Sequence, residues 1–209
     1  QVRSNGALTL GTLDTAGLTA TSAGALNLGQ GSIGGNLVAT SGNAAITQAG
    51  ALDVAGTSNL NAGSGAITLT HSANSWTGAV ALTGGTTQLR GAGALALSSS
   101  TVNSLALTSG GAISQTAALN VTGALTVNAG SQTVNLGNAS NQLGGTVSRT
   151  AGATQVRSTG ALTLGTLDTA ALTATSAGAL NLGQGSIGGN LVAPSGNAPI
   201  TEAGALDVP

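Results

Sequence analysis

Apolar residues recur along the chain in short alternating runs, of which Gly6-Ala7-Leu8-Thr9-Leu10 is typical, and Gly, Asn, Ser and Thr interrupt them every four to eight residues. Alternation with a period of two is the mark of half-buried strands. No stretch sustains the 3.6-residue period of a helix. The longest purely apolar runs are four residues, as in Ala79-Val80-Ala81-Leu82, far below the roughly 20 that cross a bilayer. The pattern therefore predicts an all-β protein of many short strands with no membrane span.

Internal repetition sets the architecture. Residues 1–55 return at 155–209, offset by 154 without a gap, with six differences: Asn5/Thr159, Gly17/Ala171, Thr40/Pro194, Ala45/Pro199, Gln48/Glu202 and Ala55/Pro209. The chain thus reads as one segment of a longer protein, with a long repeat over 1–154 and a partial second copy over 155–209. Within it lies an older repeat, in which residues 46–97 match 113–164 at an offset of 67; Ile46-Thr47-Gln48 meets Ile113-Ser114-Gln115, and Asn74 and Trp76 meet Asn141 and Leu143. Gly11 to Leu26 aligns with Ser98 to Ile113 at an offset of 87, so one copy carries 20 extra residues, Leu26 to Ala45. A chain that gains such a segment while its flanks stay in register is a stack of coils in which each touches only its neighbours. These spacings predict a parallel β-helix (β-solenoid) with coils of about 18–22 residues, seven or eight coils per long repeat, and about nine to eleven coils in the chain, a rod of roughly 45–50 Å at about 4.8 Å per coil. Strand twist and the handedness of crossovers favour right-handed winding.

Composition narrows the function classes. The 209 residues include no Cys, Met, Phe, Tyr or Lys, one Trp, one His and 4% charged residues, with a net charge of -1. A narrow core of stacked aliphatic side chains leaves little space for aromatics, and the 35 Gly suit tight bends. Four scattered arginines, Arg3, Arg90, Arg149 and Arg157, make no clustered basic face of the kind nucleic acid requires. Five acidic residues, Asp14, Asp53, Asp168, Glu202 and Asp207, are too sparse for a calcium site or a paired-carboxylate enzyme.

The remaining motifs carry little chemistry. Gly29-Gln30-Gly31-Ser32-Ile33-Gly34 has the GxGxxG spacing of a dinucleotide fingerprint, yet that fingerprint needs a following helix, and Gly35-Asn36-Leu37-Val38 continues as a strand; corner glycines are the expectation. His71 falls where the repeat has Asn138, which reads as a polar turn rather than a general base. Trp76 falls where the repeat has Leu143, which reads as packing, with sugar stacking as the alternative; Trp76 and His71 are the only candidates for a surface contact. No catalytic, cofactor-binding or metal-binding residue is assigned and no cofactor is expected. Because an open solenoid must blunt its edges, Pro194, Pro199, Glu202 and Pro209 are candidate end-capping residues. Thr19-Ala20-Thr21, Thr68-Leu69-Thr70 and Thr173-Ala174-Thr175 are the local Thr-x-Thr pairs that an ice-binding solenoid would repeat in every coil.

The phrases Ile46-Thr47-Gln48-Ala49-Gly50-Ala51-Leu52-Asp53-Val54 and Ile67-Thr68-Leu69-Thr70 through Trp76-Thr77-Gly78-Ala79-Val80 resemble the repeats of filamentous haemagglutinin-like exoproteins, adhesins exported by two-partner secretion, and the resemblance spans the chain. It implies a right-handed parallel β-helix, export through an outer-membrane partner barrel of a Gram-negative bacterium, a secreted or cell-surface location, and a role in attachment, aggregation or biofilm. The expected function is a non-catalytic adhesive stalk with a host-cell or bacterial surface receptor or glycan as partner. The rival expectation is a filament subunit whose solenoids associate end to end, and ice binding is the minor one.

Overall fold

The structure, a computed structural model, describes residues 1–209, and it is an all-β parallel solenoid of about 11 turns with ~19 residues per turn. Every strand pairing is parallel, and away from the ends and two interruptions each strand bonds to the strand one turn below and one turn above. Three sides recur in each turn. Strands Val2–Ser4, Leu18–Ser22, Leu37–Ser41 and Ser58–Asn61 begin the first side. Leu8–Thr9, Leu26–Asn27, Ile46–Thr47 and Ile67–Leu69 begin the second. Thr12–Thr15, Gln30–Ile33, Leu52–Val54 and Ser75–Trp76 begin the third. Leu26 pairs with Ile46, so the extra segment Leu26 to Ala45 forms one full turn, which is why an insertion of that size leaves the flanks stacked.

Alternation turns one set of side chains inward, and the parallel register places each inward residue over its counterpart. Up the second side, Leu26, Ile46, Ile67, Thr87, Leu105, Leu125 and Val147 stand in one column. Such columns merge into a single core of 42 buried apolar residues running the length of the rod. Burying apolar surface at about 25 cal/mol per Å² makes these columns the main favourable term.

Corners are held by hydroxyls and by glycine. Buried Ser22, Ser109 and Ser176 place Oγ 2.7, 2.8 and 3.0 Å from the carbonyls of Gly6, Gly93 and Gly160 in the turn below, one latch at the same repeat position three times. At Gly29 the backbone has φ 68° and a Cβ would overlap the Gly11 carbonyl. Only glycine fits there. The GxGxxG segment is thus a corner followed by the strand Gln30–Ile33.

The sides do not stack without interruption. The third-side strand Leu95–Leu97 is not paired with Ser75–Trp76 below; its Leu97 pairs with Val80, at the start of the neighbouring first-side strand. The four strands that begin the third side therefore form a separate small sheet ending at Trp76, while the other 23 paired strands form one continuous sheet. The same slip recurs one repeat later, where Val147 pairs with Leu164 and the register then shifts before Arg149 pairs with Leu167. We call these two places seams.

At the second seam the core contains its one charge. Leu69, Leu89, Leu107 and Val127 stack in a column whose next members are Arg149 and Leu167. Arg149 is buried, and its Nε and Nη2 atoms have no hydrogen-bond partner. Burial lowers its pKa from the ordinary arginine value to about 10. An unpaired buried cation is a large penalty, and the counterpart of Arg149 one repeat earlier is the fully buried Leu82. Replacing Arg149→Leu should stabilise the rod by about 1–4 kcal/mol, read as a higher midpoint in thermal unfolding. Because the folded pKa lies below the unfolded one, the unfolded chain holds more protons above about pH 10 until an exposed arginine would itself titrate, so the native protein should gain stability as pH rises above about 10. The Arg149→Leu variant should lack that gain.

Candidate functional site

The repeat has a polar centre that its apolar pattern conceals. Asn74 is fully buried at the start of the strand that ends the small sheet. Its Oδ1 accepts from Gln48 Nε2 at 2.7 Å and from the Leu52 backbone N–H at 2.9 Å. Its Nδ2 donates to Gln48 Oε1 at 2.8 Å and to the Leu69 carbonyl at 3.3 Å. Gln48 also donates to the Gly50 carbonyl. Two amides thus satisfy one another face to face and tie adjacent turns together. Asn141 and Gln115 repeat the arrangement, with Leu119 N–H at 2.9 Å and the Leu136 carbonyl at 2.9 Å in the corresponding places.

Directly after each clamp comes a seam. Trp76 is 4% exposed, and its indole N–H donates to the Arg90 carbonyl at 2.8 Å. It fills the step where the small sheet stops, so it is core and offers no ring face for stacking; the surface-contact assignment of Trp76 is corrected accordingly. Leu143 fills the equivalent step, its N–H 3.3 Å from Ser158 Oγ. Outside these plugs lie two matching shallow grooves, one lined by Ser75, Trp76, Thr77, Gly93 and Ala94 and one by Gln142 to Gly144 with Ser158 to Ala161.

His71 is exposed, and its Nδ1 accepts from the Ala73 backbone N–H at 3.2 Å. Asn138 Oδ1 accepts from Ser140 N–H at 2.9 Å in the same way. Both side chains mimic a turn of backbone. Pro194, Pro199, Glu202 and Pro209 are exposed in the last turns, where the carbonyls of Pro194 and Pro199 accept from Ser176 and Leu180 of the turn below at 3.1 and 3.0 Å. The five-residue strand Leu37–Ser41 of the first copy becomes the two-residue Leu191–Val192 in the second, as expected where Pro194 lacks a donor for the ladder. Thr19 pairs with Val38, and Thr173 with Val192, so these Thr-x-Thr pairs do not continue as threonine arrays from turn to turn. No three His, Cys, Asp or Glu residues come together.

The offset of 67 has a geometric meaning that sequence comparison missed. From Ile46 on the second side, three turns lead through Ile67 and Thr87 to Leu105, and Ile113 lies one side further on. Each repeat therefore advances three turns and one side. The clamp joins the second side to the third in one repeat and the third to the first in the next. The equal spacing of Gln48 to Asn74 and of Gln115 to Asn141 was the available signal for the clamp. Truncating Asn74→Ala or Asn141→Ala strands a buried backbone donor, a carbonyl and a glutamine amide, and should cost about 1–3 kcal/mol per orphaned group; chemical denaturation should show both losses. His71→Asn should leave the unfolding midpoint unchanged.

Neither a curated protein nor a solved structure matches the chain. A family model described as repeats of unknown function, DUF5649, matches residues 17–83, 84–150 and 169–209, and its first two matches abut with the same period of 67. With most of its length covered by these matches, the chain belongs to the DUF5649 repeat family.

Proposed function

We propose that this chain is a rigid, non-catalytic spacer in a secreted bacterial surface protein, holding adhesive surface away from the cell. The observation that carries this reading is the single connected core of 42 buried residues from Leu18 to Ile187, which continues across both seams and packs each turn on the next. The surface suits a role in contact with water and glycan. Its outward columns are polar, as in Arg3, Thr21, Thr40, Asn61, Thr83, Thr101, Asn120 and Gln142 up the first side. The attachment role and export through a partner barrel follow the resemblance to filamentous haemagglutinin-like repeats. Stiffness is what a stalk requires.

Length is the direct test. A rod of about 50 Å is expected from 11 turns at about 4.8 Å each, and inserting one further repeat of three turns and one side should lengthen it by about 16 Å without thickening it, as measured by small-angle scattering and electron microscopy. A globular or flexible particle, or growth in girth, would refute the spacer. Beads coated with the rod should adhere to cells or to one another more than uncoated beads, and equal adhesion would refute the attachment role.

A further inference from the structure

We propose that each repeat carries a binding patch for a carboxylated sugar and that the patches together engage an anionic polysaccharide matrix surrounding the rod. The proposal rests on the spacer reading and assigns it a ligand class. Its starting point is the placement of charge. Three arginines are exposed, Arg3, Arg90 and Arg157, and all three occupy one position of the repeat: Gln1-Val2-Arg3, Gln88-Leu89-Arg90 and Gln155-Val156-Arg157. The ladder puts a threonine on the next rung beside each, Arg3 with Thr21, Arg90 with Thr108 and Arg157 with Thr175. The glutamine that opens each triplet shares the outward face, and Thr173 stands beside Gln155.

Each patch thus combines a guanidinium, an amide and a hydroxyl on a flat sheet within one or two rung spacings of about 4.8 Å. The guanidinium fork matches a carboxylate, and the amide and hydroxyl both donate and accept, as ring hydroxyls require. A uronic acid displays carboxylate and hydroxyls on one ring at this scale. The threonine is followed each time by the latched corner serine, Ser22, Ser109 or Ser176, so the patch is held rigid before binding. Arg90 lies at a depression of about 150 Å³ with Thr70, Gln88 and Thr108, and Arg157 at one of about 440 Å³ with Thr159 and Thr175. Up the column from Arg90 the residues are Thr108, Asn128, Thr150 and only then Asp168. Four rungs are roughly 19 Å, beyond the screening length of about 8–10 Å.

The winding selects the kind of partner. Arg3 is on the first side, Arg90 on the second and Arg157 on the third, with axial steps of about 21 and 16 Å. A flat surface meets one side and hence one patch. A hydrated polymer network meets all three, and simultaneous engagement multiplies weak contacts.

Affinity electrophoresis of the whole chain through gels containing polygalacturonate, with dextran as the neutral polymer, tests this. Retention by polygalacturonate should be lost in high salt, and each of Arg3→Gln, Arg90→Gln and Arg157→Gln should weaken it roughly two- to fivefold. The triple variant should migrate as in dextran. Equal retention in dextran, an unaffected triple variant, or loss caused by one arginine alone would overturn the proposal, as would equally tight binding to phosphatidylserine vesicles. Scattering on the triple variant separates the two readings: an unchanged rod that no longer binds leaves the spacer intact, whereas a changed rod length would implicate the fold.

Discussion

The structure depends on register between parallel strands one turn apart. Because each inward side chain must lie over its counterpart, an aliphatic residue in one turn demands another in the next, and the demand propagates along the whole rod. Leu69, Leu89, Leu107 and Val127 satisfy it. Arg149 does not, and its Nε and Nη2, buried without partners, show how little else a core this narrow can supply. The absence of Phe, Tyr and Met follows from the same constraint. The single Trp sits at Trp76, where the small sheet ends and the column above is displaced. A large side chain belongs where stacking fails.

Register also explains why the repeat contains a buried polar clamp. Aliphatic columns are interchangeable, so they fix that turns stack without fixing which residue stands over which. A pair of amides whose donors and acceptors are all satisfied has one geometry. Gln48 with Asn74, and Gln115 with Asn141, close on one another and on the backbone of the neighbouring turn. A slip of one residue would bury several unsatisfied groups, each costing about 1–3 kcal/mol. The clamp stands immediately before each seam, the place where the ladder itself changes register.

A repeat of three turns and one side changes what repetition means at the surface. Had each repeat closed a whole number of turns, the three exposed arginines would form one line on one side. The extra side distributes them around the rod, and the clamps and grooves with them. The chain is a stiff axis bearing a shallow spiral of equivalent groups, which suits surroundings that enclose it more than a plane that touches it.

Most of the fold was legible in the sequence because its determinants are local and periodic. Alternation in Gly6-Ala7-Leu8-Thr9-Leu10 marks strands, the glycines mark bends, and the extra Leu26 to Ala45 measures one turn. His71 as a turn residue was legible from its counterpart Asn138. Trp76 as packing was legible in the same way from Leu143, but the isolation of Arg149 and the Gln–Asn clamp were not, since Gln48 and Asn74 meet only after the intervening turn has been wound. The sequence by itself determined that the chain is a stack of short parallel strands built on one recurring unit. Only the tertiary structure decided on which side each repeat falls, because that phase is the remainder after whole turns, and turn length is set by packing at every corner rather than by any one residue.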